Sequence, residues 1–365
     1  MPSSAHIEPL LEAVWKARGT DLLLTPGAPP LIRVDGALSR LGPKVLEPAD
    51  VEKLVAGVLG KDLNEKFHRD RQVDFAFSWA NKARVRGNAF RQKGSAALAL
   101  RVIPFAIPTF AELGLPAIVE DWVRSPKGMV LVTGPTGSGK STSLAAMVDF
   151  INNHRAVHIL TIEDPVEYLH EHKMSAVNQR EVGADTDSFA DALRAALRED
   201  PDVVMVGEMR DPESIQAALT IAETGHLVFA SLHTNDTAQT LDRIVDVFPA
   251  AQQPQVRLQL THTLIGILNQ QLIPRIGGGR VAAFEVLVGT SAICNLIREG
   301  KTRQIRNLVS TGQRSGMKTI ESSLSELVDT GVVAYEEALL WTVNPHEVKR
   351  PIPGVPVPAV LPAGH

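Results

Sequence analysis

The chain has 365 residues, 44% of them hydrophobic, so it is long enough for two ordinary domains and apolar enough to give each a folded core. Its formal charge of −4 supplies no overall basic footprint and argues against nucleic acid as a partner, and its one cysteine, Cys294, excludes an intrachain disulfide framework or a tetracysteine zinc site. The opening residues lack a basic stretch followed by an apolar one, and no run reaches the roughly 18 apolar residues of a membrane span, so a cytoplasmic protein with no direct membrane span is expected.

Ile7, Leu10, Leu11 and Val14 recur at helical spacing after Ser3 and Ser4, which predicts an amphipathic helix ended by Gly19. Strand-like segments follow at 21–24, at 31–34 before the turn Asp35-Gly36, at 73–77 and at 97–103. They predict a small α+β domain with an antiparallel sheet over residues 1–104. Pro104 and Pro108 punctuate the chain, and a connection is expected over 105–125. Beyond it, short apolar strands at 129–133, 158–162, 203–206 and 227–231 alternate with helical patterns. That alternation predicts a parallel sheet covered by helices over 126–345, with ligands bound beyond the carboxyl ends of the strands. The final fifteen residues, PIPGVPVPAVLPAGH, contain five prolines, so 346–365 is expected to be a disordered or polyproline-like tail.

The first of these parallel strands runs straight into GPTGSGKST, which fits the phosphate-loop pattern GxxxxGK[ST] at every required position. The expected nucleotide contacts are therefore Gly134, Pro135, Thr136, Gly137, Ser138, Gly139, Lys140, Ser141 and Thr142. The glycines let successive N–H groups face one anion at a helix start, and Lys140 adds a compact positive charge for the β- and γ-phosphates. The Ser141 hydroxyl is the expected magnesium ligand.

Three other strand ends carry reactive groups. In ILTIEDPVEY, Glu163 is placed to orient or deprotonate the water that attacks the γ-phosphate, although an acid beside a proline also suits a solvated turn. The strand DVVMVGE ends in Glu208, as a Walker B strand ends in the acid that organises magnesium and its waters. Gly207 stands where many phosphate-loop enzymes carry aspartate, which favours contact through water. In GHLVFASLHT, His226 and His233 bracket a buried strand, and a neutral imidazole near the γ-phosphate could sense ATP against ADP. Either histidine can equally be a satisfied structural residue. Arg84 and Arg86 alternate onto one face of a strand, and with Arg101 they are either a solvated basic face or arginine fingers delivered from a neighbouring subunit.

With these residues in view, the chain resembles the type II/IV secretion ATPases, and most closely the PilT-like type IV pilus retraction motors. The likeness runs from about Thr20 to Asn344 and rests on GTDLLLTPGAPPLIRVDG, GPTGSGKST, ILTIEDPVEY, VNQREVG, ALREDPDVVMVGEMRDPESI, AETGHLVFASLHTNDTAQTLDRIVDVFP, GGGRVAAFEVL and AICNLIREGK. It implies a PAS-like N-terminal domain joined to a RecA-like ATPase domain, a homo-hexamer, ATP and Mg2+ as cofactors, and work on an inner-membrane pilus platform protein, with a paralogous motor ATPase as a further partner. By the same resemblance the protein is peripheral at the inner face of the cytoplasmic membrane. Glu163 becomes the catalytic glutamate, Glu208 the Walker B acid, and His233 the likelier γ-phosphate contact of the two histidines. Arg86 and Arg101 become the arginines that reach nucleotide across the ring. The chain departs from the retraction motors at Cys294, where they carry arginine, and at Leu23, where relatives often carry histidine. A motor for pilus extension or type II secretion, a non-hydrolysing regulatory ring subunit and a RecA-like nucleic-acid motor remain as alternatives.

Overall fold

The computed structural model describes residues 7–351. The proline-rich run expected at the C-terminus lies outside the described residues from position 352 onward. Backbone proximity divides the chain into two compact units, Met1–Ala106 and Ile107–His365.

The first unit opens with the helix Glu8–Lys16, whose Leu11 and Val14 are buried, followed by β1 (Asp21–Leu24), β2 (Leu31–Val34) and β3 (Ala37–Arg40). The helix Pro48–Asp70 then leads into β4 (Gln72–Trp79), β5 (Ala83–Gln92) and β6 (Ser95–Pro104). All pairings are antiparallel, and among the described residues the sheet runs β3-β2-β1-β6-β5-β4. Period-two alternation turns Val85, Ala89, Leu98 and Leu100 toward Val51, Val55 and Phe67 of the long helix. That helix is absent from the sequence-based reading although Val51, Val55, Leu59, Leu63 and Phe67 recur at helical spacing; its backbone breaks at Gly60, where φ is 68°. Asn64 bridges the break by donating its amide to Gly60 O at 2.7 Å and Ala56 O at 3.0 Å.

The second unit begins with short helices at Phe110–Leu113 and Ile118–Arg124, in the stretch read from sequence as a connection. Val119, Trp122 and Val123 of the latter are buried in this unit's core. The strands are β7 (Gly128–Thr133), β8 (His158–Glu163), β9 (Ala176–Glu181), β10 (Val203–Val206), β11 (Leu227–Leu232), β12 (Leu264–Pro274) and β13 (Arg280–Val288). Among the described residues they form one sheet in the order β13-β12-β7-β11-β10-β8-β9, parallel except for the antiparallel pair β12 and β13. The central strands β7, β8, β10 and β11 are buried on both faces and read as nearly continuous apolar runs. Val130, Val132, Ile159 and Met205 pack on one face with Leu144 and Met147 of the helix Lys140–His154. Leu131, Ile162, Val204 and Val206 pack on the other with the helices Phe189–Ala196 and Pro212–Glu223. The carboxyl ends of β7, β8, β10 and β11 therefore open on one edge of a rigid layer, where the expected site residues stand.

Candidate functional site

Between β7 and the helix Lys140–His154 the backbone turns through positive φ at Gly134 (141°), Gly137 (79°) and Gly139 (90°). Gly134 is doubly required, since a Cβ there would lie 2.3 Å from Gln270 O on β12. The helix starts at Gly139 with no side-chain cap, so its first N–H groups are suited to an outside anion. Lys140 is only 7% exposed, and its ammonium donates to Gly134 O at 2.9 Å and Pro135 O at 3.0 Å. Burial pulls the Lys140 pKa down, and the charges of Glu208 and Glu167 offset part of that effect. A desolvated cation at an uncapped helix start is the environment that a phosphate group completes, so the residues present fit a nucleotide.

The loop is clamped from β12, which sequence reasoning missed. Gln270 donates to Ser138 O at 2.6 Å and accepts from the Ser143 hydroxyl at 2.8 Å. Asn269 donates to Thr133 Oγ1 and to Thr234 O, both at 3.0 Å. The available signal was a run of three amides, Asn269, Gln270 and Gln271, the first two of them buried, inside an otherwise apolar strand.

Two strand ends meet beside Lys140. His233, just past β11, lies 3.3 Å by Nδ1 from Lys140 Nζ and 3.2 Å by Nε2 from Glu208 Oε1. Since the ammonium can only donate, Nδ1 accepts and Nε2–H donates to the carboxylate. Glu208, just past β10, also pairs with Arg210, whose guanidinium approaches Oε1 at 2.6 Å and Oε2 at 2.7 Å. Burial pushes the Glu208 pKa up, but the hydrogen bond and charge of Arg210, with the hydrogen bond from His233, outweigh it and hold the carboxyl below its ordinary range. Arg210, too, was passed over by the sequence reading.

Glu163 ends β8 as a buried carboxyl that accepts from Thr161 Oγ1 at 2.7 Å, Gln179 Nε2 at 3.2 Å and the Glu167 N–H at 3.3 Å. Burial pushes its pKa up to about 7 against the opposing hydrogen bonds, with Glu167's charge adding to the rise. The adjoining glycine has a steric cause: a Cβ on Gly207 would lie 3.3 Å from both Glu163 Cα and Ile162 O. The aspartate that many phosphate-loop enzymes carry there would press on the strand bearing Glu163.

Ser141 is exposed on the first turn of its helix, and Thr142 Oγ1 lies 3.0 Å from the Tyr168 hydroxyl. His226 is not brought to the loop. It precedes β11 at the opposite end of the sheet, six residues and about 20 Å of extended strand from Leu232. There Nδ1 lies 3.0 Å from Ile221 O and 3.1 Å from Thr224 Oγ1, so within one chain it closes a helix end instead of contacting nucleotide.

The arginines belong to the first unit. In strand register Arg33, Asp21, Arg101 and Arg86 form one row across β2, β1, β6 and β5. Asp21 accepts from Arg101 Nε at 2.9 Å and lies 3.7 Å from Arg33 Nε. The row thus sets Arg86 directly opposite Arg101, with Asp21 between Arg101 and Arg33.

A family model described as type II/IV secretion system protein matches residues 70–340. The chain belongs to that family. It is similar to the Pseudomonas aeruginosa type IV pilus retraction ATPase PilT, 49% identical over 332 residues covering 91% of this chain and 96% of the relative. It is also similar to the type IV pilus ATPase PilU of the same organism, 40% identical over 94% of this chain and 90% of the relative. Among solved structures, the pilus retraction motor PilT with bound ADP superposes with a TM-score of 0.83 at 48% identity, covering 93% of this chain and 98% of that one. The family member described here thus has the expected α/β class, a RecA-like ATPase fold with a smaller N-terminal α+β portion. Among its described residues no helix is long and apolar enough to cross a membrane.

Proposed function

We propose that this protein is an ATP-hydrolysing motor of a type IV pilus machine and that it drives pilus retraction, the activity behind twitching motility. One observation carries the reading: a single sheet edge brings together an uncapped helix start with a buried lysine, a Walker B-like acid, a histidine bridging the two, and a glutamate whose carboxyl titrates near neutrality. That set suits phosphoryl transfer to water, where catalysis is positioning plus charge stabilisation. The likeness to retraction ATPases over nearly the whole chain supports the direction of work.

In this reading the N–H groups of the loop 134–142 and Lys140 hold the phosphates of ATP. Ser141 and Glu208 would hold Mg2+, which neutralises phosphate charge when bound. Glu163 takes the proton of the attacking water, and His233 registers the γ-phosphate. Arg86 and Arg101, with Arg84 as a weaker partner, act on the nucleotide of a neighbouring copy in a hexameric ring. The ring works in the cytoplasm on a membrane-embedded platform protein, alongside a paralogous ATPase.

Two measurements test this. Purified protein should release phosphate from ATP in the presence of Mg2+, and cells lacking the gene should be hyperpiliated and non-twitching. Bald cells would identify an extension motor instead, and nucleotide binding without phosphate release from assembled protein would identify a regulatory subunit.

A further inference from the structure

Glu163 has a neighbour whose role the family motifs do not state. Thr161 and Gln179 are register partners on the parallel strands β8 and β9, and Glu163 follows Thr161 by two residues. Period two therefore puts all three on one face. Thr161 Oγ1 and Gln179 Nε2 both donate to the same carboxylate oxygen, Oε1, at 2.7 and 3.2 Å. Among the described residues the other oxygen, Oε2, receives the Glu167 N–H alone, at 3.3 Å.

The Gln179 amide is itself fixed. Its Nε2 also donates to Tyr168 O at 2.8 Å, and its Oε1 accepts from the His170 N–H at 2.8 Å. The amide plane is thus tied at two points to the segment that follows β8 and cannot swing away without releasing it.

We infer that Gln179 is a positioning residue for the hydrolytic step: with Thr161 it saturates Oε1, fixes the carboxylate plane, and leaves Oε2 as the oxygen that takes the proton from water. This rests on the reading of Glu163 as the general base. Donors that favour the charged carboxylate also limit the rise in pKa that burial imposes and to which the neighbouring charge of Glu167 adds. Removing Gln179 should therefore change when Glu163 works as well as how well.

The test is the pH dependence of kcat and KM for ATP in assembled full-length protein carrying Gln179→Leu, which keeps the bulk and removes the amide. The acidic limb of kcat should move up by about one pH unit, lowering turnover about fivefold at pH 7 and recovering at high pH, with KM for ATP changed less than about threefold. Thr161→Val should move the limb in the same direction, and Thr161→Ser, which keeps the donor, should restore it. Gln179 is partly exposed, so Gln179→Ala gives a second folded variant if leucine is not tolerated. A uniform loss at every pH, or an unmoved limb in whichever Gln179 variant folds, overturns the inference. Undiminished hydrolysis by Glu163→Gln would instead remove the base reading on which it rests.

Discussion

Glu163 combines two properties rarely found in one side chain: it is almost wholly buried, and hydrogen bonds from Thr161, Gln179 and the Glu167 N–H counter the rise in pKa that burial imposes, leaving it near 7. A base titrating there is ionised in about half of the molecules at neutral pH while keeping much of its basicity. Hydrolysis should therefore rise with pH through about 7, and Glu163→Gln should abolish that limb and lower kcat at least tenfold while leaving nucleotide affinity largely intact. Phosphate release across pH and equilibrium binding of a fluorescent nucleotide measure the two quantities. The same shift bears on stability. Folded protein holds this proton from the ordinary value of 4.5 up to about 7, where unfolded chain has lost it. Stability from this group is thus present below 4.5 and lost as pH rises through 7, so Glu163→Gln should raise the melting temperature more at pH 8 than at pH 5. An equal difference at both pH values would show that the carboxyl is not held protonated by the fold.

At the scale of elements, the phosphate loop is held from the side as well as from the strand before it and the helix after it. Gln270 of β12 ties Ser138 O and the Ser143 hydroxyl together across the loop. Gln270→Ala leaves buried polar groups unmatched, at a cost of about 1–3 kcal/mol each. A lowered melting temperature together with a raised KM for ATP is expected, and thermal melts beside steady-state kinetics measure it; an unchanged KM would mean that the loop holds its shape without the clamp. This contact was not legible in the sequence, because it joins residues more than a hundred positions apart through a strand with no recognised motif. What was legible is local. The loop's glycines, the apolar strands β7, β8, β10 and β11, and the acids at their ends announce themselves because strand, turn and ligand sit side by side in the chain. The helix Pro48–Asp70 was passed over although its apolar residues keep helical spacing on both sides of Gly60, whereas the place of His226 before β11, away from the carboxyl ends of the strands, could be read from the sequence. Gly207 lay between these cases: its oddity was visible, but its cause, the approach of Glu163 Cα, required the neighbouring strand.

For the whole molecule, the decisive question is where the arginines act. Arg86 and Arg101 lie in direct register on β5 and β6, with Asp21 next in the row on β1, and they belong to a different unit from the phosphate loop. Guanidinium groups suit a phosphate because they bind it in a planar, bidentate manner. If each row serves a nucleotide held by another copy, Arg101→Ala should lower turnover only when protomers assemble, by roughly the 10³-fold at which arginine fingers begin or by less where Arg86 compensates. The discriminating experiment mixes protomers carrying Arg101→Ala with protomers carrying Lys140→Ala. Each alone is impaired; in a mixed ring, an intact loop can meet an intact arginine row only across a subunit boundary. Recovered hydrolysis in the mixture places the arginines in trans. A mixture as dead as its components would confine each row to its own chain and remove the physical reason for a ring.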